Sequence, residues 1–312
     1  MGWKVTVIAT RPEPPGNPWP ARLEAAGCQV ILDPAAIGSL HDEVCIGFCC
    51  QGALAAWPGL RERGCRFIYS PCMNHTVYGD FNLFKICPPT ALHFQSRFQA
   101  DRLAKAYYDK LSSPRDRRFV IPGAFEIADF PYRPAEHNGR FVVGKLARPC
   151  RTKWPSDLWT IIGDLRRKGR INAEALCMAW NEDVEVRLGK PPSWARCLPA
   201  GAMSSQAFLD NCHALLALNG GDLENNPRVG MEAMASGVPI VADSRGGWSE
   251  MVENGVSGLL VDSSEEAVDR LRDLAGNELL RRQMIAAARK QVEALSDPSV
   301  IGHLWKAALD AI

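Results

Sequence analysis

Two carboxylates eight positions apart, Glu224 and Glu232, mark the most informative stretch of the chain, Leu218–Asp262 (LNGGDLENNPRVGMEAMASGVPIVADSRGGWSEMVENGVSGLLVD). Asn226 is a good N-cap, Pro227 suits a first helical position, and Gly237 suits a C-terminal cap. The spacing therefore predicts a helix over Pro227–Ser236, followed by a buried strand at Val238–Ala242. Such a helix starts just after a strand and a polar loop. Its unpaired backbone N–H groups would be ready for a phosphate. Glu232 is flanked by Val229, Met231, Met234 and Ala235. A carboxylate on so apolar a helix either faces solvent or needs a partner such as Arg228, because unpaired burial is costly.

A second cluster is basic. Phe141–Trp154 (FVVGKLARPCRTKW) carries Lys145, Arg148 and Lys153 after an apolar run that ends at Gly144. On their own, such charges in a loop read as solvated. Cys72 and His75 stand at C-x-x-H spacing, but no second pair completes a zinc pattern. No G-x-G-x-x-G follows a strand, which speaks against a nicotinamide-dependent oxidoreductase. No D-x-D occurs anywhere. Eleven cysteines without a C-x-x-C pair, several of them inside apolar runs, read as reduced core thiols.

The elements that must position these residues alternate. Short Val/Ile/Leu/Cys-rich runs are expected as buried strands at Val5–Ala9, Cys28–Leu32, Val44–Cys49, Cys65–Tyr69 and Ala91–Gln95. In the second half they are expected at Phe141–Leu146, Ala175–Trp180, Ala214–Leu218, Pro239–Ala242 and Gly258–Val261. Amphipathic stretches such as Ala21–Ala26 and Arg97–Leu111 follow some of them. Runs that do not alternate imply parallel sheets covered on both faces, the βαβ pattern of doubly wound α/β folds. The 312 residues suit two domains. The best boundary is DFPYRPAEHNG, Asp129–Gly139. This gives an N-terminal Rossmann-like domain over 1–135, a C-terminal one over 136–297, and a last helix over 298–312 that packs back on the first. The proline-rich loop RPEPPGNPWP follows the first strand, where ligands bind in open sheets, or is simply a stiff surface loop. A net charge of +1 gives no global basic field, so nucleic acid is not indicated. The basic stretches Arg115–Arg118 and Arg166–Arg170 read as solvated faces. The start MGWKVTVIAT has no apolar signal core and no stretch suits a membrane span. A cytoplasmic protein is the expectation.

The segment from Glu224 onward resembles the signature of family 4 of the glycosyltransferases, retaining enzymes of the GT-B fold. Glu224 and Glu232 match its paired glutamates, Glu232–Ala242 its E-A-M-A-x-G-x-P-V-V-A, and Gly246-Gly247 with Glu250 its loop. Asn254–Asp262 matches the closing N-G-x-x-G-L-L-V-D. Asn225-Asn226 departs from the usual Gly-Phe. Phe141–Trp154 is similar to the family's strand and loop before a Lys-Trp or Lys-Phe. Leu198–Phe208 resembles the turn near the nucleotide base, and Phe119–Glu126 the end of the first domain.

The resemblance implies two Rossmann-like domains facing each other across a cleft, with a nucleoside-diphosphate sugar held by the second. Glu232 would bind the ribose hydroxyls and Glu224 would sit beside the donor sugar. Asn225, Asn226, Pro227, Arg228 and Val229 would hold sugar and diphosphate through backbone, with Ala202 and Met203 at the base. Gly144 would end the strand at the donor site. Arg148 and Lys153 would stabilise the departing diphosphate, with Lys145 as the alternative second cation. His75 would face the reacting sugar, or be an ordinary loop histidine. The expected reaction is metal-independent, cofactor-free transfer of a hexose-like sugar, from UDP-sugar first and GDP-sugar next, to an unidentified acceptor hydroxyl. The alternatives are a catalytically degenerate nucleotide-sugar-binding protein and the oxidoreductase.

Overall fold

The computed structural model describes residues 4–10, 16–48, 51–76, 79, 82, 84–85, 87–109, 117–136 and 139–312. Arg11–Pro15 of the proline-rich loop, Cys49-Cys50, Arg115 of the basic stretch and His137-Asn138 of the boundary lie outside the described residues. The chain divides into two compact units, Met1–Pro122 with Ser299–Ile312, and Gly123–Pro298.

In the first unit, β1 (Thr6–Ile8), α1 (Trp19–Ala25) and β2 (Gln29–Ile31) form a small parallel pair with its helix. Then come β3 (Val44–Phe48), α2 (Gln51–Glu62), β4 (Arg66–Ser70), β5 (Ala91–Phe94), α3 (Arg97–Tyr108) and β6 (Arg118–Val120). These strands form a parallel sheet in the order β3-β4-β5-β6. Its core is aromatic: Trp57 stacks on Phe67 at 4.9 Å, and Tyr69, Phe84 and Tyr107 meet edge-on or tilted. Fully buried His93 on β5 shares a 2.7 Å hydrogen bond with Ser70 Oγ through Nδ1. Its Nε2 donates to the Ile121 carbonyl at 2.8 Å. Burial lowers its pKa, so the ring stays neutral and ties β4 and β5 to the chain after β6.

The second unit runs β7 (Phe141–Leu146), α4 (Leu158–Arg167), β8 (Ala173–Met178), α5 (Glu182–Leu188), β9 (Ala195–Leu198), α6 (Ser205–Leu209), β10 (Ala214–Ala217), α7 (Arg228–Ser236), β11 (Ile240–Asp243), α8 (Trp248–Met251), β12 (Leu259–Val261), α9 (Ser264–Gly276) and α10 (Glu278–Leu295). A last helix, α11 (Pro298–Asp310), belongs to the first unit, where Ile301, Trp305 and Ala308 pack with Phe119 and Ile121. Residues of β7, β10 and β11 are almost wholly buried, with one apolar cluster on each face of their sheet. That is why these runs read as unbroken apolar stretches. The parallel order is β12-β11-β10-β7-β8-β9. Renumbered from β7, this is the 3-2-1-4-5-6 order of dinucleotide-binding sheets. The order reverses between β7 and β10. The loops leaving these two strands diverge there and open a crevice at their carboxyl ends.

Two strands escaped the sequence reading. β6 and β9 have only three and four residues and carry arginine. The predicted cap at Asn226 also shifts by one residue. Helix α7 starts at Arg228 with Pro227 as its N-cap, and no side chain caps it. The Asn226 amide lies instead beside the Gly123 backbone.

The glycines of Gly246-Gly247 have a packing reason. A Cβ on Gly247 would lie 1.7 Å from the Asn225 carbonyl oxygen, and Gly247 N donates to Glu224 O at 2.8 Å. Gly246 has φ of +75°. The pair thus lets one loop lie flat against the peptide that carries Glu224. Gly247→Ala should destabilise the protein by about 2 kcal/mol or more and lower the thermal midpoint by about 4–8 °C. Gly276→Ala, where an added Cβ meets nothing within 4 Å, should leave the midpoint unchanged or raise it. Equal midpoints for both variants in calorimetry would refute the packing argument.

Candidate active site

At the switch point lies a pocket of about 600 Å³, within the second unit. Its walls come from the end of β7 and its loop (Lys145, Arg148, Lys153), the loop after β10 (Asn219, Glu224), the first turns of α7, and the turn before α6 (Ala200, Gly201, Ser205). Its volume suits a medium-sized polar ligand.

The central contact joins the two diverging loops. Lys153 Nζ donates to Glu224 Oε1 at 2.9 Å and lies 3.6 Å from Asp222 Oδ2. Asn219 Nδ2 donates to the same Glu224 oxygen at 2.9 Å. Oε1 is therefore doubly engaged, and Oε2 carries no bond among the described residues. The loops are braced further by backbone. Gly220 N and Asp222 N donate to Thr152 O at 2.9 and 3.3 Å. Arg187, reaching over from α5, donates through Nε to Trp154 O at 2.7 Å and through Nη2 to Gly220 O at 3.1 Å. Trp154 Nε1 donates to Arg148 O at 3.0 Å and so holds the basic loop against its own strand end.

Lys145 and Arg148 play different parts. Lys145 is 2% exposed, and its Nζ donates to Leu218 O at 2.6 Å. Burial pushes its pKa down to about 8, with Glu224 and Cys177 opposing and Lys153 adding to the shift. Arg148 is exposed along the pocket wall. Glu232 sits on α7, half-buried, with its carboxyl pKa raised by burial and opposed by Arg228 and a hydrogen bond with Ser205. The alternatives left open for this residue thus resolve toward a partnered carboxylate at the pocket. Beside it the uncapped start of α7 presents Pro227, Arg228 and Val229 to the same space.

Other expected residues fall elsewhere. Gly144 is not among the pocket's lining residues, and an added Cβ there would be 2.4 Å from Cys212 Sγ. Asn225 is buried under the Gly246-Gly247 loop. Asn226 lines the pocket, whereas Ala202 and Met203 do not. Met203 packs on the core cluster around Phe208. His75 belongs to the first unit, exposed in the loop after β4. That loop is strapped to α3 by Gln99 Nε2, which donates to Pro71 O at 2.6 Å and Met73 O at 3.0 Å, and by Arg102 Nε, which donates to Asn74 O at 2.8 Å. Asn219, Asp222, Ser205 and Arg187 escaped the sequence reading. Only the polar Asn-Gly-Gly-Asp run between an apolar strand and Glu224 hinted at the first two.

Part of this pocket lies in a segment that is similar to known proteins. Residues 203–291 match the family of glycosyl transferases group 1. The match contains the Glu224–Asp262 stretch that carries the resemblance. A GDP-mannose-dependent alpha-(1-6)-phosphatidylinositol monomannoside mannosyltransferase of Mycobacterium tuberculosis is 37% identical over 101 residues, 31% of this chain and 25% of that protein. The matched segments span 15–25% of the length of the curated relatives. Among solved structures, Anabaena HepE in complex with UDP superposes with a TM-score of 0.75 at 16% identity, covering 99% of this chain and 100% of that one. Sucrose-phosphate synthase from Thermosynechococcus elongatus gives 0.67 at 15% identity, covering 100% and 90%. The fold is α/β of the GT-B type, as the resemblance implied.

Glu224, Glu232 and α7, with Arg228, thus lie within the matched residues 203–291, while Lys153, the cation paired with Glu224, lies outside them on the loop after β7. The buried Lys145 has a consequence for stability. A lysine in the unfolded chain titrates near 10.5, and the folded one near 8. Between these values the unfolded chain holds the extra proton, so this group raises stability as pH climbs, and its cost is fully present below about 8. Lys145→Met removes that cost. Its stability relative to the parent should therefore be highest at pH 7 and decline toward pH 10.5 in denaturant titrations. A difference that does not vary with pH would show that Lys145 is not buried as a cation.

Proposed function

We propose that the protein is a retaining glycosyltransferase that moves a sugar from a nucleoside-diphosphate donor to an acceptor hydroxyl. The observation that carries this reading is the convergence of Lys153–Glu224, Glu232 and the uncapped start of α7 on one pocket at the switch point. Glu232, with Ser205 behind it, offers a carboxylate to ribose hydroxyls. The α7 N–H groups and Arg148 meet the diphosphate, whose charge grows as the glycosidic bond breaks. Glu224 Oε2 accepts from the donor sugar. In the reaction, the acceptor oxygen bonds to the anomeric carbon on the face from which the diphosphate leaves. The acceptor's proton passes to the departing phosphate oxygen. Configuration is retained.

Fixed protein cations and the helix end take the role that a metal ion plays elsewhere, so the proposal needs no cofactor. UDP-sugar is the first donor to test and GDP-sugar the second. HepE is described in complex with UDP, and the mycobacterial relative is named as GDP-mannose-dependent. The first unit, with His75, is assigned to the acceptor. A cytoplasmic setting is part of the same proposal and fits Cys65, Cys177 and Cys212, which lie buried as thiols. Among the described residues no helix is long and apolar enough to cross a membrane.

The test is thermal unfolding with UDP, GDP, ADP and NAD, followed by donor turnover. One nucleoside diphosphate at about 100 times its dissociation constant should stabilise by about 2.7 kcal/mol. Glu232→Ala should abolish that shift. Glu224→Gln should leave it and reduce turnover at least about 100-fold. Undiminished binding and turnover in both variants would sink the assignment, and a shift with NAD alone would return the oxidoreductase reading.

A further inference from the structure

Lys153 is the best-placed cation at the junction of the two loops, yet two carboxylates flank it. Glu224 and Lys153 line the pocket, whereas Asp222, 3.6 Å from the ammonium, is not among the lining residues. The Asp222 side chain is 40% exposed. Its structural duty is small. Thr152 Oγ1 donates to Asp222 Oδ2 at 2.9 Å, a bond that an uncharged amide oxygen would accept equally. The strap between the loops is already made by backbone, through Gly220 N and Asp222 N to Thr152 O. The negative charge at Asp222 is therefore more than the fold requires.

We infer that Asp222 is a positioning residue that sets donor affinity. Its carboxylate competes with the ligand's phosphate for Lys153 and so eases release of the nucleoside diphosphate. This rests on the reading of the pocket as a nucleoside-diphosphate site. Lys153 is shared between two anions, Glu224 at 2.9 Å and Asp222 at 3.6 Å, and a diphosphate must compete with Asp222 for it. The competition loosens binding in ground state and product alike, and it acts through Lys153 alone.

The test measures binding of UDP, GDP, ADP and inorganic pyrophosphate by titration calorimetry at low and moderate salt. The proteins are the parent chain, Asp222→Asn, Asp222→Glu, Lys153→Met and the Asp222→Asn/Lys153→Met double variant. Asp222→Asn keeps the acceptor for Thr152 and removes the charge. It should tighten binding about two- to fivefold at low salt, less as salt rises. Asp222→Glu should return the affinity to the parent value, and the gain should vanish in the Lys153→Met background. Where product release limits turnover, Asp222→Asn should lower kcat and KM together. If the parent binds and Asp222→Asn binds equally or more weakly, the inference is overturned and the site reading stands. If parent and variant alike bind none of the four, both are overturned.

Discussion

One ion pair organises the second unit. Lys153 and Glu224 arise from loops that leave adjacent strands, β7 and β10, in opposite directions, and the pair joins those loops beside the backbone bonds to Thr152 O and the grip of Arg187. A strand order that reverses at this point creates an opening. It does not decide what the opening holds. The charges do that, and bonds within the protein hold them in place. Asn219 and Lys153 fix one oxygen of Glu224, backbone N–H groups fix Thr152, and the other carboxylate oxygen carries no bond among the described residues. Groups held ready in this way need little rearrangement when charge develops in a reaction, which is where a preorganised site gains most.

The cost of that readiness is visible in the packing. Glycine recurs wherever the Glu224 loop meets a neighbour. Gly220 lies against the carbonyls of Trp154 and Arg151, Gly246 and Gly247 against those of Glu224 and Asn225. Gly230 receives the six-membered ring of Trp248, which fills the space a side chain on α7 would take. Backbone against backbone leaves no room for a methyl group. The loop is held by shape as much as by charge, and the two constraints reinforce each other at Glu224.

Much of this was legible in the sequence. The apolar runs at Phe141–Leu146 and Ala214–Leu218 named the central strands, because strands buried on both faces need no alternation. Glu224 and Glu232 stood out as carboxylates in and beside an apolar helix, and Gly246-Gly247 was picked out through the family resemblance. The limits have physical causes too. β6 and β9 are short and carry arginine, so local composition hides them. The helix cap moved to Pro227 because the Asn226 amide lies against Gly123, a neighbour distant in sequence. Asn219, Asp222 and Ser205 act on a charged group already in place. Their types are common in loops, so nothing local sets them apart before the fold brings them to their partners. His93 makes the same point in the first unit, where its partners, Ser70 and the Ile121 carbonyl, come from β4 and from the chain after β6.

Arg187 shows how such dependence is distributed. From helix α5 it grips the carbonyl oxygens of Trp154 and Gly220, one in each loop. A carbonyl is present whatever residue carries it, so these contacts place no demand on the partners' side chains. Natural variants could exchange much of the sequence on either side of the grip and keep it intact. The arginine's importance would then leave no paired trace in a comparison of sequences, since no second position would change in step with it. A residue of this kind is found by its bonds and not by its neighbours in the chain.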